Sequence, residues 1–307
     1  MTTSYTIPET LEQYKHLLTL DNLEERKTFF RYTMMEPFQE MWKTIQVPLQ
    51  AKQENGYDVI MATEMMGYAK LLDDRQIRDA IKVLEDNDVL KVANQTLKTC
   101  LATAAQAGLS IQGDQLTFGL FVADLEKLQL QGGYTGFGGI PGFIAVHLFP
   151  NDYNLPKLPA LIAHEFHHNL RFSYFNWNHG NVTVGDYLVI EGLADSFAKE
   201  LYGEEQLGPW VTSIEEDDLA YSSEVIGAAF DTKGFAEVSS YLFGDEIAKQ
   251  QGYRPVGLSF GAGYAVGYEV VQSFMQRQKK TIWEATLLSS DEIIRGSGMF
   301  SLKKDRL

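Results

Sequence analysis

A single cysteine, Cys100, occurs among the 307 residues. One thiol forms no internal disulfide, and it excludes every zinc ribbon or finger built on cysteine. The flanking run Leu97-Lys98-Thr99-Cys100-Leu101-Ala102 reads as helix, so Cys100 is expected to be a buried structural thiol. Positive charge is also scarce: 26 Lys and Arg stand against 41 Asp and Glu, a net of −15. No basic run offsets that field, which excludes nucleic acid and an anionic membrane surface as expected partners. Long apolar stretches are absent: no window of 18 apolar residues exists, so no membrane-spanning helix is expected. Met1 to Glu9 lack the basic and apolar segments of a signal peptide. With the lone cysteine, these features predict a cytoplasmic protein.

What is present is ordinary for a folded chain, with 45% hydrophobic and 22% charged residues. A core of this size needs no metal staple, so a metal site here calls for a chemical reason. The first hundred residues predict helices. Leu23 to Ile45 carries apolar residues at helical spacing, with a break expected at Pro37, and Asp73 to Ala107 repeats the pattern up to Gly108. The texture then changes. Leu116 to Val122 and Phe143 to Phe149 read as strands. The glycine-rich stretch between them, Gly132 to Gly142, fails the G-x-G-x-x-G pattern and reads as a flexible connection. Helices return from Pro156 to about Phe172, from Thr183 to Tyr202 with Gly203 as cap, and from Ala262 to Arg277. The shift near residue 108 suggests a helical region 1–108 followed by a domain 109–307.

Three of the six histidines fall in His164-Glu165-Phe166-His167-His168, an H-E-x-x-H pattern. Four residues advance a helix by about 400°, so His164 and His168 share one face a turn apart. Two neutral imidazoles so placed can bind one Zn²⁺, while Glu165, one step round, can take a proton from the attacking water. Such a site needs a third protein ligand. The extended pattern H-E-x-x-H-x-x-G-x-x-H is excluded, because Arg171 and Tyr174 stand where it needs Gly and His. The remaining candidates are His179, Asp186 and Glu191. Glu191 is favoured because Asp195 follows one helical turn later and can hold the far nitrogen of a ligand histidine. His167 lies beside the ligand face, suited to packing, second-sphere bonding or substrate contact, and Arg171 is placed to pair with a carboxylate.

His164 to His168, followed by Glu191-Gly192-Leu193-Ala194-Asp195 and by Gly263-Tyr264-Ala265-Val266-Gly267-Tyr268, resembles the YjaZ-type family of predicted bacterial zinc-dependent proteases. The resemblance covers roughly residues 110–297, and the metal motifs look like the gluzincin arrangement of the thermolysin-like clan. It implies an α+β, zincin-like fold, mostly helical, with a small sheet whose edge strand lines the active-site cleft. Gly138 to Phe149 is the segment expected to form that edge. It also implies one Zn²⁺ per chain, a peptide or protein substrate, and a donor for the oxyanion. Thermolysin-like enzymes commonly use a downstream histidine for that donor, but no histidine follows His179. Tyr264 and Tyr268, four apart on the late helix, are the candidates in its place. The other class of function consistent with these residues is a zinc-containing protein that binds peptides or regulates a partner without turnover. Glu165 weighs for the enzyme, since a binder needs no base there.

Overall fold

The computed structural model describes residues 3–53, 56–113, 115–178 and 180–300. The chain folds as two compact units, Met1–Asn169 and Leu170–Leu307. It is an α+β protein: helices dominate, around one four-stranded mixed sheet. No helix among the described residues is long and apolar enough to cross a membrane.

In the first unit, Pro37 breaks the expected long helix. The chain runs as an α-helix at Leu23–Phe29, a π-helical turn at Phe30–Met34, a 3-10 turn at Glu36–Phe38 and a short α-helix at Gln39–Thr44. The expected helix from 73 to 107 is two helices, Asp74–Asp86 and Val89–Gln106. Asp88 divides them with a left-handed backbone, φ 49°, a conformation that Asp and Asn tolerate better than other side chains. Cys100 is fully buried in the second of these helices, and burial pushes its thiol pKa up.

The strands are β1 (Ser4–Thr6), β2 (Gln115–Val122), β3 (Tyr134–Ile140) and β4 (Phe143–Leu148), in the order β1-β2-β4-β3. β1 and β4 run parallel to β2, and β3 is antiparallel to β4. Two of the expectations are corrected here. The glycine-rich stretch is no flexible connection but largely a strand, and the edge of the sheet is β3, while β4 lies inside it. Glycine weakens a strand unless another backbone must come close, and here one does. A side chain at Gly136 would sit 2.5 Å from Cγ of Glu165, and one at Gly138 2.9 Å from its Cα. The register of β3 shifts between Phe137 and Ile140, at Gly138-Gly139.

The hairpin turn Pro141-Gly142 is fastened to the helix Leu158–Phe172 by one side chain. Asn169, fully buried, accepts from the Gly142 amide (2.7 Å) and donates to the carbonyls of Gly138 (2.7 Å) and Phe143 (2.9 Å). A second buried polar group, His147 of β4, has its ring 3.9 Å from that of Tyr68, centroid to centroid, and burial lowers its pKa to about 3.

The second unit is helical. Thr183 and Asp186 form a reciprocal capping box at the start of the helix Val184–Tyr202. The helix Ala262–Gln278 packs against it at a glycine-to-glycine contact. A Cβ on Gly192 would lie 2.9 Å from the Tyr268 amide nitrogen, and one on Gly267 would lie 3.1 Å from the carbonyl carbon of Leu188. Both helices match the sequence expectation within a residue.

Asn169→Ala removes three hydrogen bonds, two of them fully buried, and is expected to destabilise the protein by about 2–4 kcal/mol in urea unfolding. A loss below about 0.5 kcal/mol would show that packing alone holds the hairpin. His147 sets a second expectation. Its folded pKa lies below the unfolded value near 6.5, so between about pH 6.5 and 3 the unfolded chain binds the extra proton and stability falls with pH. The wild type should lose about 2 kcal/mol more than His147→Phe between pH 7 and pH 5. Parallel stability curves for the two proteins would exclude a buried neutral imidazole as the cause.

Candidate metal centre

The helix Leu158–Phe172 is buried along nearly its whole length, and the i, i+4 spacing turns the His164 and His168 side chains to a common face. Their Nε2 atoms face one another at 3.0 Å, with the rings nearly perpendicular (85°) and their centroids 4.7 Å apart. Two nitrogens bound tetrahedrally to one zinc at about 2.0–2.1 Å would be about 3.3–3.4 Å apart. The observed pair is within a few tenths of that spacing. Glu191, from the helix Val184–Tyr202, completes a group of three, its carboxylate and the two imidazoles each offering a ligand atom within 4.8 Å of the others. All three residues are buried, at 5–6% exposure. Among the described residues no other such group of His, Cys, Asp or Glu occurs. Three buried, convergent donors of mixed nitrogen and oxygen type are the composition of a site for a transition metal.

The other candidates fall as follows. Asp186 is occupied in the helix cap, its Oδ2 accepting from the Thr183 amide (3.2 Å) and hydroxyl (2.8 Å). His179 lies outside the described residues. Glu165 is buried under β3, with the Gly136 backbone passing directly beside its carboxylate. Asp195, one turn beyond Glu191 and 1% exposed, accepts a hydrogen bond from the Trp210 indole at 3.3 Å.

A family model described as "Predicted Zn-dependent protease (DUF2268)" matches residues 89–295, two thirds of the chain. The chain belongs to this family. It is 54% identical to the uncharacterized protein YjfC of Bacillus subtilis (strain 168) over 293 residues, which is 95% of this chain and 98% of that protein. It is 30% identical to the uncharacterized protein YjaZ of the same organism over 131 residues, 42% of this chain and 46% of that one. No solved structure gives a significant match. The matched span of the DUF2268 model contains all three members of the His–His–Glu group.

Within that span the remaining side chains separate into distinct environments. His167 is fully buried. Tyr264 is half-buried and meets the rings of Trp210 and Phe243 at 6.2 and 6.0 Å. Tyr268 is buried, with Lys199 Nζ 5.3 Å from its ring centroid. Burial first, then the negative charge of Glu204, pushes its phenol pKa up, so it remains a hydrogen-bond donor at neutral pH. Tyr187 was not anticipated. It stands four residues before Glu191 on the same helix, and burial together with the Glu191 charge raises its pKa. The i, i+4 spacing that singled out Asp195 on one side of Glu191 would have found Tyr187 on the other. Arg171, expected to pair with a carboxylate, is reached by the charge of Asp186 and donates from Nη1 to the Thr286 carbonyl.

The three-residue group predicts about one bound divalent metal ion per purified chain. His164→Ala or His168→Ala should abolish it, and Glu191→Gln should weaken affinity markedly, both read by elemental analysis. Chelation should leave helical circular dichroism largely intact, because the core does not depend on metal. Full occupancy in either histidine variant would reassign the site.

Proposed function

We propose that the chain is a zinc-dependent metallopeptidase of gluzincin type. The observation that carries the reading is the convergence of His164, His168 and Glu191, with the buried Glu165 following His164 in the chain. The donor set suits zinc, with two neutral imidazoles and one carboxylate as protein ligands. Held there, zinc would supply Lewis-acid polarisation of the scissile carbonyl and acidify the attacking water.

The chain's own residues account for the rest. Glu165 takes a proton from the water and passes it to the leaving amine. Asp195 acts as a positioning residue, and its bond to Trp210 restrains the carboxylate. β3 is the edge strand, and its glycines leave the backbone beside Glu165 bare of side chains. An extended peptide can add to that edge by main-chain hydrogen bonds, which brings its backbone alongside the base. The oxyanion requires a donor. Tyr264 and Tyr268 on the late helix and Tyr187, one turn before Glu191, are the candidates. His167 is assigned to the support of the ligand helix from its complete burial.

The division into a helical region 1–108 and a catalytic part 109–307 is part of this proposal, and the family match, over 89–295, spans most of the latter. The substrate class is peptide or protein. The single buried thiol supports a reducing, cytoplasmic setting.

Glu165→Gln keeps size and removes the base. Metal content should stay near one per chain, while cleavage of a mixed peptide pool, followed by mass spectrometry, should fall by at least about 100-fold. Cleavage by the variant at the wild-type rate removes Glu165 from the mechanism. Peptide binding without cleavage by zinc-loaded wild type would favour the non-catalytic peptide-binding protein.

A further inference from the structure

Arg171 is 2% exposed. Its guanidinium stacks 3.5 Å from the Phe175 ring centroid and donates once, from Nη1 to the Thr286 carbonyl. Nε is buried with no hydrogen-bond partner among the described residues. The charge of Asp186 reaches the guanidinium without a hydrogen bond, Asp186 being engaged in its helix cap. Burial lowers the Arg171 pKa only to about 10, so the side chain is a cation at neutral pH. A buried cation whose Nε has no hydrogen-bond partner among the described residues is costly unless something else pairs with it.

Arg171 lines a pocket of about 240 Å³, together with Phe175, Trp177, Asp186 and Ile190. Trp177 is a fixed wall, stacked on Phe172 (5.1 Å, 29°) and met edge-on by Tyr187 (5.2 Å, 73°). In sequence, residues of the pocket lie close to the donor residues. Ile190 adjoins Glu191, and the Trp177 wall rests on Tyr187, one turn before Glu191. Along the other ligand helix Arg171 stands three residues after His168.

We propose that this pocket is a subsite for a substrate carboxylate, with Arg171 as its specificity determinant. The inference deepens the peptidase reading and rests on it for the identity of the substrate. A planar guanidinium pairs with a carboxylate through two parallel hydrogen bonds. The Asp186 carboxylate on the same wall, in a chain of net charge −15, disfavours a phosphate dianion over a singly charged group. The carboxylate is either the C-terminus of the peptide or an acidic side chain.

Two matched peptide pairs test this by calorimetry, with zinc-loaded and with metal-free protein. One pair is a short peptide with a free or an amidated C-terminus. The other is an amidated peptide with Asp or Asn inside it. In wild type, the acidic member of one pair should bind about tenfold tighter than its neutral partner, and which pair responds identifies the source of the carboxylate. Arg171→Gln should cut that preference below about twofold while the thermal midpoint stays near wild type. If that variant does not fold, Arg171→Lys replaces it and should still lower the preference at least about threefold, because lysine cannot form the fork. Equal binding within both pairs, a preference unchanged in a folded variant, or competition by inorganic phosphate as strong as by acetate would each overturn the proposal. Binding does not need turnover, so the two readings fail separately. A retained preference without cleavage removes the enzyme alone, and cleavage without preference removes the subsite alone.

Discussion

The approach of one bare strand to one helix sets the geometry on which the first unit depends. β3 can lie against Glu165 only because residues 136 and 138 have no side chains. Asn169 then fixes the hairpin to the same helix through three hydrogen bonds. The strand is placed by the helix, and the carboxylate of Glu165 lies where the two meet. In a close-packed interior such a contact tolerates no extra methyl group, so the glycines specify position more than they lend freedom. The same device recurs in the second unit, where Gly192 and Gly267 bring two helices close enough to set the height of Glu191 and Tyr268 together.

The features legible in the sequence were those governed by local periodicity. The histidine pair and the Glu191–Asp195 pair are i, i+4 relations, and helix geometry alone predicts their common faces. The helices Val184–Tyr202 and Ala262–Gln278 carried caps and apolar spacing that marked their ends. Less legible were features that depend on a distant partner. The glycines of β3 look like a flexible connection until the helix beside them is known. Asn169 has no local signature, because its three hydrogen bonds reach back 26 to 31 residues. The break at Asp88 is hidden in the sequence because apolar spacing continues across it, although Asn87-Asp88 is a pair that admits a left-handed turn. Arg171 was noticed, but its pocket depends on aromatic residues from a loop, where periodicity says nothing.

The centre concentrates polar groups in an otherwise apolar interior. His164, Glu165, His167, His168, Glu191 and Asp195 are all at most 6% exposed. Burying so many ionisable groups is unfavourable for folding alone, since each needs a partner or a neutral state. A site that works against stability in this way is the pattern expected of chemistry, where electrostatic interactions gain strength away from water. The DUF2268 family is described as predicted Zn-dependent protease, and the three donors of this chain suggest a metal site.

β1 gives the sheet an order of assembly. Its three residues pair in parallel with the first residues of β2, Ser4 with Gln115 and Thr6 with Thr117. Thr10 likewise donates to the carbonyl of Leu120, 110 residues away. On a ribosome the first strand would emerge long before its partner and would wait while the helices between them formed. Contacts of such long sequence separation close late and carry a large loop entropy. Until β2 arrived, the emerging chain would be a set of helices without a sheet, and the strand made first would be among the last to find its place.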